Sequence, residues 1–174
     1  CRTDPMREFC RVECCRCHLH VRRGGNRTVR TLSLRVRRMQ DLADQEIEGI
    51  ARLAERATAA AGRRLREAKT EWTSVDSQVG RDIKLRADRE AEALVLATLA
   101  EGSAYPVLTE ESGRVGDIGD GRPYWVVDPL DGTYNYFREV PLCCVSVALC
   151  TGNEPRFGCI FDFNRQEMFT GGIG

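Results

Sequence analysis

Trp125-Val126-Val127-Asp128-Pro129-Leu130-Asp131-Gly132-Thr133 is the stretch from which the rest of the chain is read. An apolar, β-favouring run ends here in two carboxylates, a rigid turn and a glycine. The expectation is a buried strand over 125–127 that stops at Asp128-Pro129, because proline has no N–H to give to a ladder. Asp128 and Asp131 then stand at the carboxyl end of a strand with the Leu130 carbonyl between them, three hard oxygen ligands of the kind Mg²⁺ takes. Gly132 allows close backbone approach, and Thr133 brings a hydroxyl beside the free N–H groups of a helix that starts there. The same residue types also suit an ordinary surface turn, since Asp, Pro and Gly are the commonest turn formers. Upstream, Pro106-Val107-Leu108-Thr109-Glu110-Glu111-Ser112-Gly113 is a second short apolar segment ending in acids. Two strands that both end in carboxylates describe one cleft.

Around this pair the pattern is helices first and strands after. From Met39 to about Lys69, Leu42, Ile47, Ile50, Leu53, Ala54, Ala57, Ala61 and Leu65 recur at helical spacing among Glu and Arg, which predicts one amphipathic helix. Ile83 and Leu85 alternate with charged residues as a half-buried strand would. Asp88 is placed to cap a helix over 89–100, which Gly102 ends. The segment from Gly113 to Pro123 reads as a loop, and strands are expected at about 143–150 and 157–163, joined as an antiparallel pair through Thr151-Gly152-Asn153. The fold class expected is α/β (α+β) layered.

These residues resemble the Mg²⁺-dependent, lithium-sensitive phosphatases typified by inositol monophosphatase. That family carries Asp-Pro-aliphatic-Asp-Gly-Thr after a Trp-containing strand, present whole at 128–133 and continued by Asn135 and Tyr136. Its upstream Glu-Glu pair is matched by Glu110 and Glu111, with Thr109 where inositol monophosphatases usually have Gly. Arg86-Ala87-Asp88, followed by Glu90 and Glu92, resembles the family's helix-opening Thr-x-x-Asp segment, and Asp82 matches a second acidic position before it. The resemblance spans roughly 40–174 and implies a sugar-phosphatase fold.

Carried over residue by residue, the resemblance implies that Glu110, Asp128 and the Leu130 carbonyl hold one Mg²⁺ and that Asp128 and Asp131 hold another. The two ions would clamp phosphate and activate water. Thr133 and Glu110 would orient that water with Asp88 in support, and Leu130, Asp131, Gly132 and Thr133 would line the phosphate site. The implied reaction is hydrolysis of a small phosphorylated metabolite, with inositol monophosphate as first substrate. Within the superfamily the alternatives are 3′(2′),5′-bisphosphate nucleotidase, histidinol-phosphatase and fructose-1,6-bisphosphatase. Thr109 and Leu130 lean toward the nucleotidases, whereas Asn135 and Tyr136 lean toward the inositol branch and weigh more. A homodimer is compatible with the family. Its downstream Trp-Asp-x-Ala-x-Gly segment, whose Asp completes the second metal site, has no counterpart here. The chain therefore reads as the N-terminal part of the fold, with weak activity or none expected alone.

Composition adds boundaries. The 174 residues are 42% hydrophobic with a net charge of zero, enough for one core and without a global pull toward nucleic acid. No apolar run approaches the ~20 residues of a membrane span. With no secretory signal and nine cysteines, reduced thiols and a cytoplasmic location are expected. Residues 1–38 differ from the rest in their Arg and Cys richness and read as a disordered or non-native extension ahead of a phosphatase domain over 39–174. A reading of another class makes that arm the function: Cys10, Cys14, Cys15, Cys17, His18 and His20 could hold zinc, or the arginines nucleic acid, on a noncatalytic module. Their spacing fits no structural zinc pattern. Tyr134, Tyr136 and Phe137 suit either a pocket wall or the core, and Arg114 and Arg122 either phosphate contacts or solvated loops.

Overall fold

A computed structural model describes residues 29–31, 44–72, 75–79, 82–119, 121–152 and 154–172. The Cys/His arm around Cys10 to His20 lies outside these residues, as does the expected start of the first helix at Met39.

Helix α1 (Asp44–Glu67) puts Ile50, Leu53, Ala54, Ala57, Ala61 and Leu65 on one buried stripe. The repeat of three and four residues is what keeps them on one face. A single turn, α2 (Lys69–Trp72), follows. Helix α3 (Arg86–Ala100) packs beside α1, with Ala87, Ala91, Val95 and Leu99 buried. Its cap differs from the expectation: Leu85 is the N-cap and Asp88 the third helical residue, whose carboxylate accepts the Leu85 N–H at 2.7 Å. The acid satisfies a free donor of the first turn from inside the helix rather than from its edge.

The strands are β1 (Val29–Thr31), β2 (Val75–Val79), β3 (Asp82–Leu85), β4 (Val107–Thr109), β5 (Gly113–Val115), β6 (Pro123–Asp131), β7 (Cys144–Thr151), β8 (Glu154–Asp162) and β9 (Glu167–Gly172). Seven form one mixed sheet in the order β1-β9-β8-β7-β6-β4-β5, and β2 with β3 makes a separate hairpin. The β4–β6 and β1–β9 pairs are parallel, and β6 through β9 run antiparallel. The expected turn between β7 and β8 is where it was placed. Two expectations are corrected. Part of the supposed loop after Gly113 is β5, hairpinned on β4, and β6 does not stop at Asp128-Pro129. The strand continues to Asp131 because a register shift between Asp128 and Asp131 takes the proline out of the ladder with β7.

Both long helices cover the same face of the sheet, where Trp125, Val127, Val145, Val147, Cys159, Phe161 and Phe163 join their apolar stripes in one core. The approach is close: a Cβ on Gly62 would stand 2.5 Å from the Phe161 ring. The buried Trp125 indole donates to Ser103 Oγ at 2.9 Å, so the end of α3 is pinned to the start of β6. At its other end, α3 meets the residues that follow β6. No helix among the described residues is long and apolar enough to cross a membrane.

Candidate active site

The carboxyl ends of the parallel neighbours β4 and β6 bring Glu110 and Asp128 side by side, as the sequence reading required. Thr109 pairs with Val127, and the Glu110 N–H donates to the Val127 carbonyl at 3.3 Å. Asp128 is half-buried; Glu110 and Asp131 are exposed. Burial first, then the charges of Glu110 and Asp131, push the Asp128 carboxyl up to about 8, and a hydrogen bond with the Glu110 side chain acts in the same direction. A single lowering influence comes from the Leu130 N–H, which donates to Asp128 Oδ1 at 3.1 Å. Among the described residues no three His, Cys, Asp or Glu side chains already converge at ligand spacing.

A second group is knit together by hydrogen bonds. The Thr133 hydroxyl lies 2.8 Å from Asp88 Oδ1 and 3.0 Å from the Leu130 carbonyl oxygen, one proton for two acceptors. Asp88 is buried on α3, forty-five positions from Thr133 in sequence, and the fold brings the two together. Burial holds the Asp88 carboxyl above the usual carboxylate range, against the bonds from Leu85 and Thr133 that lower it. Gly132 sits at φ 87° between these groups and opens α4 (Thr133–Phe137). A Cβ there would stand 2.7 Å from the Leu142 carbonyl oxygen, so both the backbone angle and the space call for glycine.

Asp88, Glu110, Asp128, Leu130, Asp131, Gly132 and Thr133 therefore lie in one neighbourhood at the ends of β4 and β6 and the start of α3 and α4. Some flanking residues do other work. Tyr136 is buried and its hydroxyl donates to the Leu65 carbonyl on α1 at 2.7 Å, while the Asn135 amide donates to the Leu142 carbonyl at 2.8 Å. Both therefore hold the fold, and their lean toward the inositol branch rests on the family motif and not on a contact with substrate. Tyr134 and Phe137 are exposed, as are Arg114 and Arg122. Sequence reasoning passed over Cys144, whose thiol lies 3.6 Å from Asp131 Oδ2; burial, then the Asp131 charge, keeps that thiol protonated. It also left Glu92 without a role, although its spacing of four from Asp88 puts both acids on one helix face.

The donor set suits a hard divalent cation. Carboxylate oxygens from Glu110, Asp128 and Asp131 and one backbone carbonyl are the ligands Mg²⁺ prefers, and an acid raised by burial and by its like-charged neighbours is relieved by positive charge. The Leu130 carbonyl has a second lone pair beyond the one facing Thr133.

Comparison with known proteins gives the family. The model of the inositol monophosphatase family matches residues 46–174. The inositol-1-monophosphatase of Synechocystis is 38% identical over 89 residues, covering 51% of this chain and 31% of that protein. The Nus factor SuhB of Xylella fastidiosa is 40% identical over 109 residues, covering 61% and 38% respectively. Among solved structures, the extragenic suppressor protein SuhB of Bartonella henselae superposes with a TM-score of 0.63 at 31% identity, over 70% of this chain and 47% of that one. The matched region spans less than half the length of each of these relatives.

Proposed function

Since the chain belongs to the inositol monophosphatase family, we propose that its acidic cleft is the cation and phosphate site of a Mg²⁺-dependent phosphomonoesterase acting on a small phosphorylated metabolite. The observation that carries the reading is Asp128, a carboxyl pushed up to about 8 between Glu110 and Asp131 at the end of a buried strand. Such a group is costly to ionise until a cation shares it.

When bound, Mg²⁺ supplies Lewis-acid polarisation of a phosphoryl oxygen and an acidified water. Glu110, Asp128, Asp131 and the Leu130 carbonyl are the ligands proposed. Thr133 holds a proton between Asp88 and the Leu130 carbonyl, and from there orients a water for attack. Asp88, anchored by the Leu85 N–H, keeps that hydroxyl in place. Inositol monophosphate is the first substrate proposed, and bisphosphate nucleotides, histidinol phosphate and fructose 1,6-bisphosphate are the competitors to assay beside it. A reducing, cytoplasmic setting is part of the proposal; buried thiols such as Cys143 and Cys159 are compatible with it.

The test is calorimetric titration of the chain with MgCl₂ and MnCl₂, followed by phosphate release from inositol 1-phosphate. Saturable binding that disappears in Asp128→Asn supports the proposal; binding unaffected by Asp128→Asn overturns it. The name Nus factor on similar proteins supports a second, assembly-based reading. Asp128→Asn separates the two, because docking to a partner would survive it.

A further inference from the structure

The pairing of β6 with β7 brings a thiol to the cation site that the proposed chemistry leaves unused. The ladder runs from Pro123 opposite Thr151 to Asp128 opposite Ser146, breaks, and resumes with Asp131 opposite Cys144. Between those last two pairs β6 advances three residues and β7 only two, so β6 carries one extra residue, a bulge. This changes the phase of the strand. Side chains alternate between faces, so without the extra residue Asp128 and Asp131 would point to opposite sides of the sheet. With it, Asp131 returns to the side of Asp128 and faces Cys144.

Alternation along β7 identifies that side. Cys143, Val145 and Val147 belong to the core under the helices, whereas Ala148 and Cys150 belong to the apolar cluster on the other face. Cys144 is in phase with the second pair. The backbone that presents it is fixed by its neighbours: the Asn135 amide donates to the Leu142 carbonyl at 2.8 Å, and the Asn164 amide lies 3.3 Å from Cys143 Sγ. Gly132 rests on the same segment, where a Cβ would stand 2.7 Å from the Leu142 carbonyl oxygen and 3.2 Å from Cys143 Cβ.

Each of the other acids bonded in the cleft has a nitrogen or hydroxyl donor. Asp88 has the Leu85 N–H and the Thr133 hydroxyl, and Asp128 has the Leu130 N–H. Asp131 is exposed, and among the described residues the donor that reaches its side chain is the half-buried Cys144 thiol, 3.6 Å from Oδ2. A thiol has one proton to give and a carboxylate accepts. We propose that Cys144 donates to Asp131 Oδ2 and so turns the other carboxylate oxygen toward the cation, which makes Cys144 a positioning residue. Groups that bond a metal ligand from behind fix its orientation in this way. The effect on the cation rests on the reading of Asp131 as a ligand, whereas the S–H bond does not.

The experiment reads the bond and the cation separately, in the full chain. The Cys144 S–H stretching band is taken from the infrared difference between wild type and Cys144→Ala, and again with Asp131→Ala in both. Loss of the acceptor should move the band to higher wavenumber; an unmoved band overturns the bond. In Mn²⁺ titrations Cys144→Ala should weaken binding about tenfold, as residues that orient metal ligands do, and Cys144→Ser, which keeps a donor, should restore it. Unchanged affinity in Cys144→Ala, or equal losses in the Ala and Ser variants, overturns the positioning role. If the wild-type chain binds no Mn²⁺, the reading of Asp131 as a ligand fails and the positioning claim with it, while the infrared band still decides the bond.

Discussion

The two flanks of the acidic cleft are built on opposite principles. On one, Asp88, Thr133 and the Leu130 carbonyl are joined by hydrogen bonds of 2.8 and 3.0 Å and anchored to the start of α3. On the other, Glu110, Asp128 and Asp131 are gathered by strand ends, and burial followed by the neighbouring charges raises Asp128. Folding completes the first flank. The second is assembled at a cost that a cation removes, and the site gains selectivity for charge from that incompleteness.

Asp128→Asn should change this contrast most: divalent binding, read by calorimetry, falls by about a hundredfold if Asp128 is the shared ligand proposed. Next is the pH response. Asp128 rises from 3.8 to about 8 on folding, so the folded state takes up protons there. The associated stability is complete below the lower value and is lost as pH climbs through the upper one. Urea unfolding in EDTA should show stability falling from about pH 4 to about pH 9, with the decline reduced by saturating Mg²⁺ and shallower in Asp128→Asn, where the raised Asp88 still contributes. A stability that rises over this range would refute the charged-flank description. On the bonded flank, Gly132→Ala should cost about 1–3 kcal/mol through strained backbone and the Leu142 contact. Thr133→Val, which strands a buried Asp88 oxygen, should cost about 1–3 kcal/mol in metal-free urea unfolding. Tyr136→Phe is the mildest, about 1 kcal/mol for the lost bond to Leu65, with cation affinity unchanged.

Much of this was legible in the sequence because each flank is encoded locally. Asp128-Pro129-Leu130-Asp131-Gly132-Thr133 contains most of the site, and apolar spacing placed α1, α3, β6, β7 and β8. What escaped depends on pairing or on tertiary contacts. Pro129 reads as a stop only if its missing N–H was needed; the register shift beside it makes it harmless. Gly113-Arg114-Val115 is too short and polar to announce β5, which exists because β4 offers it a partner. Asp88 was recognised as a helix-start acid but placed at the wrong position, since the first-turn donors can be met from within the helix as well as from its cap. In sequence Tyr136 suits pocket wall and core alike, and its burial with the bond to the Leu65 carbonyl decides for the core, while the task of Asn135 shows only in the Leu142 carbonyl across space. Glu92 carried no signal beyond its spacing from Asp88, because burial of one carboxylate oxygen is invisible without the sheet beneath it.

The Tyr136 hydroxyl on the Leu65 carbonyl has a mechanical consequence. Leu65 lies one turn beyond Gly62, the position at which α1 rests against Phe161. A side chain at Gly62 would lift the helix, and the Tyr136 bond acts as a strut that carries the displacement to α4, whose first residue is Thr133. The far side of the core is thereby geared to the cleft, so a packing fault about two helix widths away would be felt as a misplaced hydroxyl.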